Sequence, residues 1–203
     1  MLTLDHLAVA AGKLEEGRAY VEEALGVALE PGGQHGYFGT HNMLLGLEEG
    51  LYLEVIAIDP TAMDSARPRW FDLDRFDGSP RLTTWICRSD NLEADLVLLP
   101  GAGSPVPLTR GDLAWRMAVP ESGVLPFDNC HPAIMQWDGT AHPAARLKAS
   151  GCRLSGLVVR HPEAEAMKAR MAPHLADSRV TCETGTPGLD ARFDTPSGAR
   201  SLA

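Results

Sequence analysis

Several things are missing from this 203-residue chain, and each absence narrows what it can do. There is no CxxC pair: Cys87, Cys130, Cys152 and Cys182 stand far apart, unlike a zinc knuckle or a dithiol redox motif. A core of the size this length allows needs no disulfide staple, so buried or half-buried thiols are expected. Basic charge is in deficit, with 18 Lys and Arg against 27 Asp and Glu and a formal charge of −9. Nonspecific affinity for nucleic acid comes mostly from clustered Lys and Arg, so nucleic acid is not expected as a partner. No apolar run approaches the roughly 20 residues a spanning helix requires, and the start MLTLDHLAVAAGKLEEG lacks a basic segment followed by a long apolar core. A cytoplasmic protein with no membrane partner is the expectation. What remains is ordinary globular composition, 44% apolar and 22% charged.

The chain reads as a pattern that starts more than once. Residues 2 to 10, LTLDHLAVA, alternate as a strand, and residues 13 to 25 switch to helical spacing with Gly26 as C-terminal cap. A Gly-rich segment, PGGQHGYFG at 31 to 39, follows, with room for a short strand near 27 to 30. THNMLLGLEEGLYLEVIAI, 40 to 58, then reads as two strands around a tight turn. Residues 61 to 80 form a polar crossover loop. RLTTWICR at 81 starts the order again, and SDNLEADLVLL follows as a helix with Asp90 as N-cap and Glu93 completing a capping box. DLAWRMAV (112 to 119) and PAIMQW (132 to 137) supply further strands. Laying the two starts side by side sets Thr84 on His6 and Gln136 opposite Glu54. A third start, CRLSGLVVRHPEAEAMKARMAPHL, gives a strand and a helix, with RVTCET and LDARFDT as short strands after it.

Glu54 is the residue that asks for a purpose, because it lies in the middle of the apolar run LYLEVIAI. An unpartnered carboxylate inside would cost several kcal/mol, so an inward Glu54 needs a cation, a metal or a donor. His6 from the first strand is the candidate. The bland alternative is a solvated strand carboxylate and a structural histidine. A three-residue hairpin loop ending in Gly50 sets Leu44 opposite Glu54 and aims Asn42 at the same face, whereas a two-residue loop would aim His41 there. Asn42 and His41 are therefore rival substrate-binding residues. Arg116 could clamp a substrate carboxylate, and Trp85, Trp115, Phe127 and Trp137 could line an apolar pocket; as an exposed strand arginine and core aromatics they need no such role. Cys130 and His131 are adjacent in a loop long enough for a lid, but adjacency in sequence does not make a catalytic dyad.

The layout of strand, helix and hairpin, repeated, with LDHLAVA, GTHN and LYLE in the first unit and LTTW and WRMA in the second, resembles the vicinal oxygen chelate superfamily and within it the glyoxalase-like subgroup. The resemblance spans most of residues 2 to 160. It implies an α+β fold in which repeated βαβββ modules form a curved mixed sheet around a cleft. The modules would cover 1 to 60 and 81 to 150, with a C-terminal βαββ segment over 151 to 203, all one compact unit. It further implies a divalent ion of unspecified identity, held by side chains from the first and last strands of both modules. By position these are His6, Glu54 and Gln136, with Thr84 in the fourth place. A metal-dependent lyase or isomerase would follow, with Glu54 and Arg116 catalytic and a small oxygen-bearing substrate. Ring-cleaving iron dioxygenases of the superfamily need a second histidine that is absent from its place here. The competing expectation is a metal-free binder of small molecules, as in resistance-type relatives. A homodimer is the partner that the resemblance allows, since two chains often complete such clefts.

Overall fold

The structure, a computed structural model, describes residues 1–203. The first unit runs β1 (Thr3–Ala10), α1 (Leu14–Leu25), β2 (Glu30–His35), β3 (Thr40–Gly46) and β4 (Tyr52–Ile58). The second runs β5 (Arg81–Arg88), α2 (Leu92–Leu98), β6 (Ser104–Arg110), β7 (Leu113–Val119) and β8 (Ala133–Asp138). Their strands make one eight-stranded sheet of order β2-β3-β4-β1-β5-β8-β7-β6. Within each unit the first strand pairs in parallel with the last, β1 with β4 and β5 with β8. The antiparallel β1–β5 pair joins the units at the centre. The α+β fold with a curled mixed sheet is as expected from the sequence.

The alternation of side chains along the strands gives the sheet two apolar faces. Leu7, Val9, Leu53, Val55, Trp85, Cys87 and Ile134 point to the convex side. There they meet α1, α2 and a second, four-stranded sheet of order β10-β9-β11-β12. That sheet comprises β9 (Arg153–Arg160), β10 (Val180–Glu183), β11 (Gly188–Thr195) and β12 (Gly198–Leu202), with α3 (Ala164–Met171) between β9 and β10. Ala8, Ala10, Ile56, Ile86, Trp115, Met117, Ala133 and Met135 point to the concave side. α1 lies close on β4 because Gly17 has no side chain: a Cβ there would come 2.5 Å from Val55 Cγ1.

Several local expectations are matched and others are displaced. Gly26 caps α1 with φ 72°, its N–H donating to the Glu22 carbonyl. The β3–β4 hairpin has the three-residue loop: Leu47 N–H donates to the Leu51 carbonyl at 3.0 Å and Leu44 lies opposite Glu54. α2 is capped by Asn91, whose Oδ1 accepts from Ala94 N–H at 3.2 Å, in place of the expected Asp90. Three strands carry too little alternation to be read from sequence. β2 contains Pro31, Gly32 and Gly33, β6 contains Pro105 and Pro107, and β12 buries only Leu202. The two prolines of β6 are tolerated because it is an edge strand. The four cysteines are unpaired, Cys87, Cys130 and Cys152 buried and Cys182 half-buried.

Candidate functional site

On β1 the alternation that sends Leu7 and Val9 into the convex core turns His6, Ala8 and Ala10 to the concave face, where the two alanines leave space. On β4 the same parity turns Tyr52, Glu54 and Ile56 inward, and the parallel register sets His6 beside Tyr52 and Ala8 beside Glu54. His6 and Glu54 are 4% and 5% exposed, and His6 Nε2 faces Glu54 Oε2 across 3.7 Å. Asn42, on β3, completes the group: its Nδ2 donates to Glu54 Oε1 at 2.5 Å, and its Oδ1 accepts from Gly33 N–H at 2.8 Å. Gly32 makes this possible, since a Cβ there would fall 2.0 Å from Asn42 Oδ1. One lone pair of Glu54 Oε1 is thus occupied, and Oε2 is left toward His6.

A fully buried carboxylate supports the histidine. The β1–β5 pairing is irregular between Leu4 and His6, and Asp5 lies there at 0% exposure. Asp5 Oδ1 lies 2.7 Å from His6 Nδ1. Asp5 Oδ2 accepts from Trp137 Nε1 at 3.1 Å and Arg88 at 3.3 Å, and lies 3.0 Å from His142 Nε2. Burial alone would push the Asp5 carboxyl up; its hydrogen bonds with His142 and His6, together with their charge, overcome this and hold it far below the usual carboxylate range. The ionised Asp5 can only accept, so it takes the Nδ1–H of His6 and turns Nε2 toward Glu54. Tyr52 stacks on the imidazole at 4.2 Å between ring centroids, fixing its plane. Burial, with the nearby Asp5 and Glu54 charges, keeps the Tyr52 phenol protonated well above its ordinary range.

The pair opens on a cavity of about 20 Å³ whose walls are His35, Trp70, Phe71, Arg110, Trp115, Met117, Met135 and Trp137. That is room for one water molecule or one ion. His35 is pulled down to a pKa of about 4 by burial, against the pull of Glu54 and with help from Arg110, so it is neutral at pH 7. Its Nδ1 meets Thr40 Oγ1 at 3.0 Å, and Arg110 donates to its Nε2 at 3.2 Å.

The structure brings together His6, Glu54, Asn42, Trp115 and Trp137 and sets Gln136, Arg116, Trp85 and His41 elsewhere. Gln136 lies on the opposite face of β8, where its Oε1 accepts from Leu92 N–H at 2.9 Å. The reason is register. Ala8 pairs with Glu54 as Ile86 pairs with Ala133, so with His6 matched to Thr84 the counterpart of Glu54 is Ala133. Gln136 has the wrong parity for the cavity. Arg116 is turned away in the same manner and pairs with Glu93 and Asp138. Trp85 belongs to the convex core, its Nε1 donating to the Cys130 carbonyl at 2.8 Å. His41 takes the parity opposite to Asn42. Asp5, His35, Trp70 and Arg110 were not singled out from sequence; the DH dipeptide in LDHL was the one available signal, a carboxylate next to the candidate ligand.

The donor set is a partial fit to a divalent ion. Two ligands each about 2.1 Å from one ion lie roughly 3.0 to 3.6 Å apart for ordinary angles, so the 3.7 Å between His6 Nε2 and Glu54 Oε2 stands at the wide limit. No group of three or more His, Cys, Asp or Glu side chains is placed to share an ion anywhere in the chain. Asn42 has committed its oxygen to Gly33, and Thr84, fully buried, is a poor neutral donor. Two protein ligands suit a hard cation that keeps water or substrate oxygens in its remaining positions.

A curled sheet of two βαβββ units around a central cavity, with ionisable residues facing it from the first and last strands of the first unit, is the architecture of the vicinal oxygen chelate class. A family model described as a glyoxalase-like domain matches residues 4–175, and the chain belongs to that family. Among solved structures, a hypothetical protein from Staphylococcus aureus is similar over 91% of this chain and 86% of its own, at 12% identity and a TM-score of 0.60. Methylmalonyl-CoA epimerase from Mycobacterium tuberculosis aligns over 68% of this chain and 88% of its own, at 18% identity and a TM-score of 0.43. The Streptomyces coelicolor methylmalonyl-CoA epimerase aligns over 70% and 100%, at 16% identity and 0.45. No curated protein sequence matches the chain.

Proposed function

We propose that the protein is a lyase- or isomerase-type enzyme that moves a proton on a small oxygen-bearing molecule, with His6 and Glu54 as the ligands of a divalent ion. The observation that supports this is the facing pair itself: two buried polar side chains, each held from behind by its own partner, with their free atoms turned to one cavity. With Oε2 facing His6 and the ion's place, the Glu54 carboxylate would take a proton from a carbon next to a carbonyl, and return it, through the lone pair of Oε1 that Asn42 does not use. Asn42 holds the carboxylate in position through Oε1, and Asp5 and Tyr52 hold the His6 ring. The indoles of Trp115 and Trp137 keep bulk water from the proton in transit. When bound, a divalent ion would supply Lewis-acid polarisation of the substrate oxygens.

The second reading, a metal-free binding protein, draws support from the second module, which turns no ligand toward the pair once Ala133 stands where Glu54 stands in the first. Metal analysis separates the two. Protein purified without chelator should carry on the order of one divalent ion per chain, lost in His6→Ala. A folded chain that binds small aromatic molecules and takes up no added divalent ion would reject the metal and favour the binder. Glu54→Gln should slow solvent-deuterium exchange into small carbonyl compounds by about a hundredfold or more, the lower end of general-base effects.

A further inference from the structure

We infer that Arg110 anchors the anionic end of the substrate, which is a small carboxylate admitted at the seam where β2 and β6 approach each other. This rests on the proposed proton-transfer reading and extends it to the substrate's other end. β2 and β6 are the two edges of the eight-stranded sheet, and the sheet curls until they nearly meet. Arg110, the last residue of β6, bridges the gap: a Cβ on Gly33 of β2 would lie 2.8 Å from Arg110 Cδ, and the guanidinium reaches His35 Nε2 at 3.2 Å. Arg110 borders both the small inner cavity and an outer cleft of about 380 Å³. It therefore stands between solvent and the His6–Glu54 pair.

The arginine lacks its usual partner. No carboxylate lies within ion-pair distance of it, whereas Arg146 in the same outer cleft is paired with Asp112 at 2.7 Å. Its single hydrogen-bond partner is an imidazole that burial keeps neutral, and one acceptor atom leaves most of the guanidinium fork unused. A carboxylate would replace that contact by a charge-assisted, bidentate one.

A second donor in the same wall is also unsatisfied. Trp70 Nε1 is buried without a hydrogen-bond partner, one of two such side-chain atoms in the molecule. The Trp70 ring stacks on Phe38 and Phe71 and meets His35 at a right angle, so it is held firmly at the cavity. An orphaned donor of this kind costs about 1 to 3 kcal/mol, and a ligand oxygen would relieve it. Arg110 and Trp70 thus line the cavity as donor-bearing side chains, one with most of its fork unused and the other with its single N–H unused, across from His6 and Glu54. The inner cavity takes only a water-sized group, so the carboxylate would sit on Arg110 at the outer cleft of about 380 Å³. The substrate's carbon end would reach Glu54 as Arg110 exchanges its contact with His35 for the carboxylate and opens the seam.

The test uses pyruvate as probe and the four indole N–H signals of the folded protein as readout. Pyruvate should shift the Trp70 signal, assigned through Trp70→Phe. It should leave that of Trp85, which is bonded to the Cys130 carbonyl, in place. Arg110→Gln should weaken the response by about tenfold or more, as expected for loss of a charge-assisted pair, and Arg110→Lys by less. Methyl pyruvate, which has no charge, should give no shift, and Arg153→Gln, on the far sheet, should behave as wild type. The inference is overturned by no wild-type response, by equal binding of the ester, by a response to inorganic phosphate alone, or by unchanged affinity in Arg110→Gln. Should that variant fail to fold, wild-type affinity in Arg110→Lys together with equal binding of the ester overturns it. Glu54→Gln separates the two proposals: it should retain the pyruvate response while losing deuterium exchange. Retained exchange with a lost Arg110 effect, or the reverse, tells which has failed.

Discussion

Asp5 is the residue on which the geometry of His6 depends, because it is a fully buried carboxylate with four donor side chains around it. Removing one partner of such a network leaves buried charge and donors uncompensated. Asp5→Asn keeps the volume but presents an amide where only an acceptor fits. We expect it to lower stability by about 3 kcal/mol, measured by urea denaturation, which is the low end for breaking a buried pair. It should also release the tautomer of His6, so that imidazole ¹⁵N shifts move from one Nδ1-protonated form toward a mixture. A purely structural Asp5 would show the first effect without the second.

At the scale of elements, what the sequence revealed and what it hid divide along the sheet. The central strands β1, β4, β5, β7 and β8 were legible because apolar residues recur along them, and α1 because its stripe and C-terminal Gly26 are both present. His6 and Glu54 stood out as polar residues interrupting such runs. The edge strands β2 and β6 were not legible: glycines and prolines break their alternation, and it is these strands that deliver His35 and Arg110 to the cavity. Gln136 was misplaced because parity in β8 depends on where its pairing with β5 begins, which one chain alone does not state. The irregular β2 has a purpose that can be tested. Gly32 and Gly33 wrap the amide of Asn42, and Gly32→Ala would drive a Cβ to within 2.0 Å of its oxygen. The neighbour is a side chain already tied to Glu54, so it cannot swing away freely. A loss of about 2 kcal/mol in thermal or urea unfolding is expected, within the range for overpacking, together with weaker metal uptake; wild-type values in both would show that the strand yields.

For the whole molecule, enclosing polar groups between two sheets and along a curled one makes stability depend on pH in a defined window. His35 and His131 are both buried, and burial, first among the causes for each, lowers their pKa values to about 4. In the unfolded chain each would titrate near 6.5. Between these values the unfolded state binds more protons than the folded one, so stability rises with pH across the window and falls on acidification from about 6.5 to 4. Below about 4 both states are protonated at these sites and their contribution stops changing, while the depressed Asp5 carboxyl extends the loss to lower pH. Each histidine accounts for roughly 3 kcal/mol over the full window, from a shift of about 2.5 units. Urea midpoints recorded at about pH 7, 5.5 and 4.5 should therefore fall progressively. His131 lies outside the cavity, and its Nε2 has no partner to lose. His131→Leu should consequently fold at pH 7 and retain about half of the slope, leaving the part that belongs to His35. A slope unchanged by that substitution would mean that His131 takes up no proton on unfolding in this window and that the acid sensitivity between about pH 7 and 4.5 belongs to other groups, since the Asp5 carboxyl acts only at lower pH.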